Sequence, residues 1–224
     1  MSLFDYRRAV RLQEALSRRV LEEAASFPGL DPSRVRLVAG VDAAYGGGVQ
    51  AGCAVLVDYA SSTQLAYTCH VREPPIPYVP GLLAFREAPV YIKALRKLPE
   101  NPDIILVDGH GLTHPRALGI ATHIGLVLGK PTIGVAKNPL YGEEKTVNGR
   151  RLITAHGVTA GEILEPVKGV KLYVSIGYLI RLEDAVTVVK HLMKPGLKLP
   201  LPLHLADKYS KNTARQGYIA SKKK

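Results

Sequence analysis

Ile104-Ile105-Leu106-Val107-Asp108-Gly109 is a short, almost wholly apolar run that ends in an acid and a glycine. A run of this kind suits a strand at the centre of a sheet covered on both faces, where neither row of side chains meets water. Behind it, Ala117 to Leu128 has helical content and Thr132 to Val135 reads as another short strand. Strand, helix, strand order predicts a parallel, right-handed unit. Ahead of it, Arg36 to Asp42, Ala51 to Tyr59 and Gln64 to Val71 read as three strands joined by short loops containing Gly46-Gly47-Gly48 and Ser61-Ser62. Connections that short predict an antiparallel meander. The expected class is therefore α/β, with a mixed central sheet flanked by helices.

Further out, residues 5 to 26 form an amphipathic pattern with Ala9, Leu12, Leu16 and Val20 on one face, ended by Phe27-Pro28-Gly29. Leu82 to Leu98 is helical in content, with Phe85, Ala88, Ile92 and Leu95 on one side. Between Pro74 and Pro80 stand four prolines in seven residues, which cannot sit inside a ladder and predict a stiff extended loop. Residues 150 to 155 and 171 to 176 are weaker strands; Glu183 to Met193 and Leu203 to Ser210 are further helices, set off by Pro195-Gly196, Pro200 and Pro202.

With 224 residues, 46% hydrophobic and 22% charged, the chain is expected to form one domain over 1–224 around a substantial core. No stretch approaches the roughly 18 apolar residues that cross a bilayer, so a soluble protein of the cytoplasm, with no membrane partner, is the expectation. Cys53 and Cys69 flank a turn at Ala60-Ser61-Ser62 and are expected to be free and buried. The formal charge of +11 favours a polyanionic partner, and six of those charges fall in a basic C-terminal tail from about 208, at Lys208, Lys211, Arg215 and Lys222 to Lys224.

Asp42 and Asp108 each terminate an apolar strand, as GVD and ILVDG. On adjacent parallel strands both carboxylates would emerge at one sheet edge, where they repel unless protonated, paired or bridged by a cation. A hard divalent ion takes oxygen ligands and also binds phosphate. Taken singly, each acid reads rather as a cap of the turn or helix that follows; the pair together brings the two readings level. Glu87, in FREAP early in its helix, and Asp207, in LADKYS, are further candidate carboxylates, although a helix-surface acid is common. The segment Asp108-Gly109-His110-Gly111-Leu112-Thr113-His114-Pro115-Arg116 is the densest in polar groups. His114 there suits a contact to a phosphate or a tie to backbone carbonyls, and Arg116 suits a phosphate or a carboxylate. Lys137 follows a buried strand, where lysine rarely stands without an anion nearby. Tyr78, with Pro77 before it and Val79 and Pro80 after it, is an aromatic side chain on a stiff projection, suited to wedging between bases or to packing on its own domain. There is no GKS/T phosphate loop, serine elbow or zinc-spaced cysteine set.

These blocks together resemble the endonuclease V family. They are VAGVDAAY at 38–45, PPIPYVPGLLAFREAP at 74–89, ILVDGHGLTHPRALGIATHIGL at 105–126, PTIGVAKNPLYG at 131–142 and VSIGYLI at 174–180. The resemblance implies a ribonuclease H-like fold. It makes Asp42 and Asp108 the ligands of Mg2+, for which Mn2+ can substitute. Glu87 becomes the adjacent catalytic carboxylate, with Lys137 and His114 beside the scissile phosphate and Asp207 a late acid. Tyr78 becomes the wedge in PYVP, and Gly111 and Leu112 border the base pocket, with Arg116 on the DNA backbone. The implied activity is hydrolysis of the second phosphodiester bond 3′ to deoxyinosine in DNA, leaving 3′-hydroxyl and 5′-phosphate ends, in DNA repair; a monomer is expected separately, because the compact site can form within one chain. Tyr178 stands where the family commonly has His, and His110 fills the variable place in DGxG. Two alternatives remain: an endoribonuclease preferring inosine-containing RNA, and a nucleic-acid binding module without turnover.

Overall fold

The computed structural model describes residues 4–221. In chain order they form α1 (Tyr6–Ser26), β1 (Leu37–Gly46), β2 (Val49–Asp58), β3 (Thr63–Arg72), α2 (Leu83–Leu95), β4 (Ile104–Asp108), α3 (Ile120–Leu128), β5 (Thr132–Ala136), β6 (Glu143–Val147), β7 (Arg150–Ala155), β8 (Val158–Val167), β9 (Val170–Tyr178), α4 (Leu182–Leu192) and α5 (Leu201–Ser221). The nine strands make one sheet in the order β3-β2-β1-β4-β5-β9-β8-β7-β6. The first three are the expected meander, β1, β4 and β5 are mutually parallel, and β5 to β9 returns the sheet to antiparallel pairing. The mixed sheet flanked by helices is the class expected from the sequence.

β4 is central because its side chains have no wet face: Ile104, Ile105, Leu106 and Val107 are all at most 1% exposed. Alternation divides them between two cores. Ile104 and Leu106 join the layer under α4 and α5, while Ile105 and Val107 join the layer under α2 and α3. β6 and β8 carry no such signal. All five residues of β6 are exposed, and β8 contains Pro166 and slips register near Leu164, so neither shows clean period-two patterning.

Glycines set how closely the helices approach. A Cβ on Gly40 would stand 2.4 Å from the backbone carbon of Pro202 at the start of α5. On the opposite face, a Cβ on Gly52 would stand 2.6 Å from a methyl of Val90 in α2. Both positions lie beside the acid-bearing end of β1, so the two helices close on that end from either side.

Three expectations are corrected by the packing. Lys208, Lys211 and Arg215 belong to α5, which runs well past Ser210, rather than to a loose tail; Ala214 seats the helix against Gly46. Lys222 to Lys224 lie outside the described residues. Cys53 and Cys69 are joined in a disulfide, because the hairpin register puts them directly opposite each other, Cα atoms 4.1 Å apart. On α1, Leu12 is 45% exposed and the inward position beside it is Gln13, which is fully buried.

Gly40→Ala is expected to cost about 1–3 kcal/mol through overpacking against Pro202, a fall in Tm of roughly 2–4 °C per kcal/mol for a chain of this size. Calorimetry showing an unchanged Tm would mean that α5 is not seated on β1 as described.

Candidate active site

The parallel register pairs Val41 with Val107 as the last rung of β1 and β4, so Asp42 and Asp108 are the next residues on each strand. Both face the α5 side of the sheet. Asp42 is 6% exposed and accepts a 2.6 Å hydrogen bond from the Ser210 hydroxyl on α5. Burial, then the neighbouring Asp108 carboxylate, push the Asp42 carboxyl up to about 8, with Ser210 pulling the other way. Asp108 is met by the Lys137 ammonium at 2.6 Å. Burial draws that ammonium down, but Asp108, Asp42 and Asp207 outweigh it and hold Lys137 above its ordinary value.

Asp207 sits at the rim of this cluster, paired to Lys211 one turn along α5 at 2.7 Å. Glu87 reaches the strand ends from α2, on the other face. It is 8% exposed, its Oε1 accepting from the Tyr45 hydroxyl at 2.8 Å and its Oε2 from the Tyr91 hydroxyl at 3.0 Å. Burial raises its carboxyl, the two tyrosines opposing. Tyr45 in turn accepts from Gln50 at 2.9 Å and Arg86 at 3.0 Å, so its oxygen is fully satisfied. Among the described residues no three acidic, imidazole or thiol side chains converge into a ready cage for a metal ion. The Asp42–Asp108 pair fits a hard divalent cation all the same. Burial and the Asp108 carboxylate raise the proton affinity of Asp42, a cost that a bound cation would relieve, and open coordination positions are what a phosphate-binding ion needs.

The proline loop is pinned at both ends and free in the middle. Arg86 donates to the Ile76 carbonyl before Tyr78. After it, the Gly81 carbonyl accepts from Gln13 Nε2 at 3.1 Å, His114 Nε2 at 3.1 Å and an Arg116 terminal nitrogen at 2.9 Å. Tyr78 between these anchors is 65% exposed, with Pro77 and Pro80 also exposed and Val79 half-buried. Arg116 also donates to the Gln13 side-chain oxygen at 2.7 Å, so its guanidinium holds the loop, facing neither a carboxylate nor the open cleft. His114 has both ring nitrogens engaged, Nε2–H on Gly81 and Nδ1 accepting from the Arg116 amide at 3.1 Å. His114 thus ties the loop, as Arg116 does, while also lining the cleft described next.

A cleft of about 330 Å³ lies between this loop, the Asp108–His110 turn and the segment from Lys137 to Leu140. Gly109, Gly119 and Ile120 line it, whereas Gly111 and Leu112 do not. Both of the latter are buried and have their amides occupied, Gly111 on the Ser175 hydroxyl and Leu112 on the Ile176 carbonyl. A Cβ at Gly111 would stand 1.9 Å from that carbonyl oxygen, so this glycine serves close packing rather than base reading. His110 does line the cleft and is held by Thr113 at 2.9 Å and the Asn138 carbonyl at 3.0 Å. Tyr178 is buried against Arg19 and Glu23 of α1, so its departure from the family's His does not reach the acid cluster.

Ser210, Tyr45, Tyr91, Gln50 and Gln13 were not singled out in the sequence. Tyr91 stands four residues after Glu87 on one helix, a spacing that brings side chains together. Tyr45 and Ser210 lie inside segments already noted, VAGVDAAY and LADKYS. Gln13 and Gln50 carry no local mark.

The sequence model of the endonuclease V family matches residues 16–208. An endonuclease V of Desulfurococcus amylolyticus is 71% identical over 93% of the chain and 95% of its own length. Among solved structures, endonuclease V of Streptomyces avermitilis superposes with a TM-score of 0.85 at 33% identity, covering 96% of this chain and 95% of that one. Endonuclease V of Ciona intestinalis, solved with an inosine-containing DNA 24-mer, shares the fold with a TM-score of 0.79 at 24% identity, over 94% of this chain and 97% of that one.

Gln13→Ala strips one donor from Gly81 and a partner from Arg116. It is expected to cost about 1–3 kcal/mol and to speed chymotryptic cleavage at Tyr78 several-fold; digestion at the wild-type rate would show that Gln13 does not anchor the loop. The His114 tie should also fail in acid. Burial, then Arg116, lower that imidazole from 6.5 to about 4. Its contribution is therefore complete above pH 6.5 and is lost as pH falls from 6.5 towards 4. Over that window the wild-type Tm should drop towards that of His114→Gln, and a constant gap between the two would refute the tie.

Proposed function

The chain belongs to the endonuclease V family, and on that footing we propose that it recognises deoxyinosine in DNA and hydrolyses the second phosphodiester bond on its 3′ side. The ends left are a 3′-hydroxyl and a 5′-phosphate, and the setting is repair of deaminated adenine. The observation that carries this reading is the meeting of Asp42 and Asp108 at the ends of adjacent parallel strands, beside an exposed tyrosine on a loop pinned at both ends.

Asp42 and Asp108 are the residues that would hold Mg2+ or Mn2+, which when bound supplies positive charge to the phosphate and acidity to water. Ser210 keeps Asp42 oriented. Glu87 is suited to take a proton from the attacking water, because burial has raised its affinity for one while Tyr45 and Tyr91 hold both its oxygens in place. Lys137, already against Asp108, can turn its remaining donors to a phosphate oxygen.

Tyr78 fills the stack when the altered base turns out, at little ordering cost since its loop is already anchored. The base then enters the cleft beside Gly81, Gly109, His110 and Leu140. A mispaired nucleotide costs less to extrude than a paired one, which favours the lesion before any contact to its edge. Every proposed group comes from one chain, which supports a monomeric enzyme.

A 5′-labelled duplex with one central inosine should be cut once, two bonds to the 3′ side, with magnesium and not with chelator. Asp42→Asn or Asp108→Asn should lower turnover about 10³-fold, equivalent to several kcal/mol of charge stabilisation. Turnover persisting in the double variant would sink the assignment. Faster cutting of a matched inosine-containing RNA strand would move the substrate from DNA to RNA.

A further inference from the structure

A second and larger cleft, of about 680 Å³, opens on the other side of Lys137 from the base-sized one. Three separate parts of the chain wall it: the β8–β9 turn with the start of β9, the α4–α5 connection, and the first turns of α5. They bring Lys171, Lys198 and Lys211 to the same space as Lys137, against a single acid, Asp207. Lys137 and Lys211 are paired with Asp108 and Asp207. Lys171 and Lys198 are exposed and, among the described residues, make no ion pair. Leu172 and Leu199 supply apolar wall between the ammonium groups.

Cations gathered from distant segments into one concavity repel each other until an anion arrives, so their convergence favours a polyanion. Its position identifies which one. Lys137 lines both clefts, and Asp108 and Asp207 line one each, so the carboxylates stand at the junction. A strand whose base occupies the first cleft, and whose cut bond lies two linkages to the 3′ side, must leave past that junction. Only its 3′ continuation lies there.

We propose that the second cleft is the track for the strand 3′ to the scissile bond, with Lys171 and Lys198 each neutralising one of its phosphates. This rests on the cut position given above. Lys171 and Lys198 are positioning groups in this account, because they contact backbone beyond the reacting phosphate and take no part in hydrolysis. The cleft holds the strand taut across the carboxylates, which is where a short 3′ end would otherwise swing free.

The test pairs a cleavage measurement with a binding measurement. In the first, single-stranded substrates keep the 5′ side and the inosine constant while the 3′ extension beyond the cut grows from one to ten nucleotides. Wild-type kcat/KM should climb over the first several nucleotides and level off; Lys171→Ala/Lys198→Ala should flatten the climb, and Lys171→Arg/Lys198→Arg should restore it. In the second, a 5′-phosphorylated oligonucleotide without inosine, equivalent to the 3′ product, is titrated by fluorescence anisotropy. Loss of two single-strand phosphate contacts lowers the salt slope by about 1.4, so the wild-type advantage in affinity should shrink about sevenfold between 50 and 200 mM salt. A double alanine variant with the wild-type length dependence and the wild-type salt slope would overturn the track. Absence of inosine-dependent cutting by the wild-type protein would instead count against the proposed activity, and cutting at another bond against the cut position, while the anisotropy result still decides whether the lysines hold a strand.

Discussion

Two carboxyl groups brought to the same end of adjacent parallel strands, one of them buried, are the constraint on which this molecule is organised. Asp42 and Asp108 cannot separate, because each is the residue after a buried, hydrogen-bonded rung of the same parallel strand pair. Nor can Asp42 reach bulk water easily, since it is nearly covered and α5 closes over it. Charge must therefore be balanced locally, by a proton, by Lys137 or by a bound cation. The neighbours answer that demand: a lysine on one oxygen, a serine hydroxyl on another, and an open side towards the clefts.

Backbone proximity makes the cluster possible. α2 and α5 lie on opposite faces of β1 and β2, and each touches the sheet where a glycine leaves room. Glu87 comes from the first helix and Ser210 and Asp207 from the second, so carboxylates from both layers meet at a single sheet edge. A side chain at Gly40 or Gly52 would hold one helix away, and the geometry at the acids would loosen although no acid had changed.

The same economy of fixed parts governs the loop. Tyr78 projects from a segment whose two ends are tied by side chains from α1, α2 and the turn after β4. An aromatic side chain presented in this way loses little freedom on insertion, because prolines and carbonyl anchors have already removed most of it. Lys137 then stands where the two clefts meet, so substrate on either side is drawn towards the pair of acids.

Much of this was legible without coordinates. Hydrophobic runs, prolines and glycines are local signals, and they located the meander, the buried β4, the stiff loop and the strand-end aspartates. The blocks around 42, 78, 87, 108 and 137 carried the family resemblance as well. The polar β6 and the interrupted β8 were not legible, since a strand without alternation looks like a loop. The extent of α5 was hidden too, because its seat at Ala214 against Gly46 of β1 is a tertiary contact that helix propensity does not record.

By itself, then, the sequence determined the strands and helices with a clear apolar pattern and the acids that end β1 and β4, because those properties follow from neighbours along the chain. Only the tertiary structure decided what each polar group touches. Ser210 meets Asp42 across 168 residues, and Gln13 meets Gly81 across 68. It turned His114 and Arg116 into anchors of a loop, closed Gly111 against a carbonyl, joined Cys53 to Cys69 and gathered Lys171 and Lys198 into one cleft. The physical reason is that a hydrogen-bond or charge partner is chosen by distance in space, and separation along the chain carries no record of it.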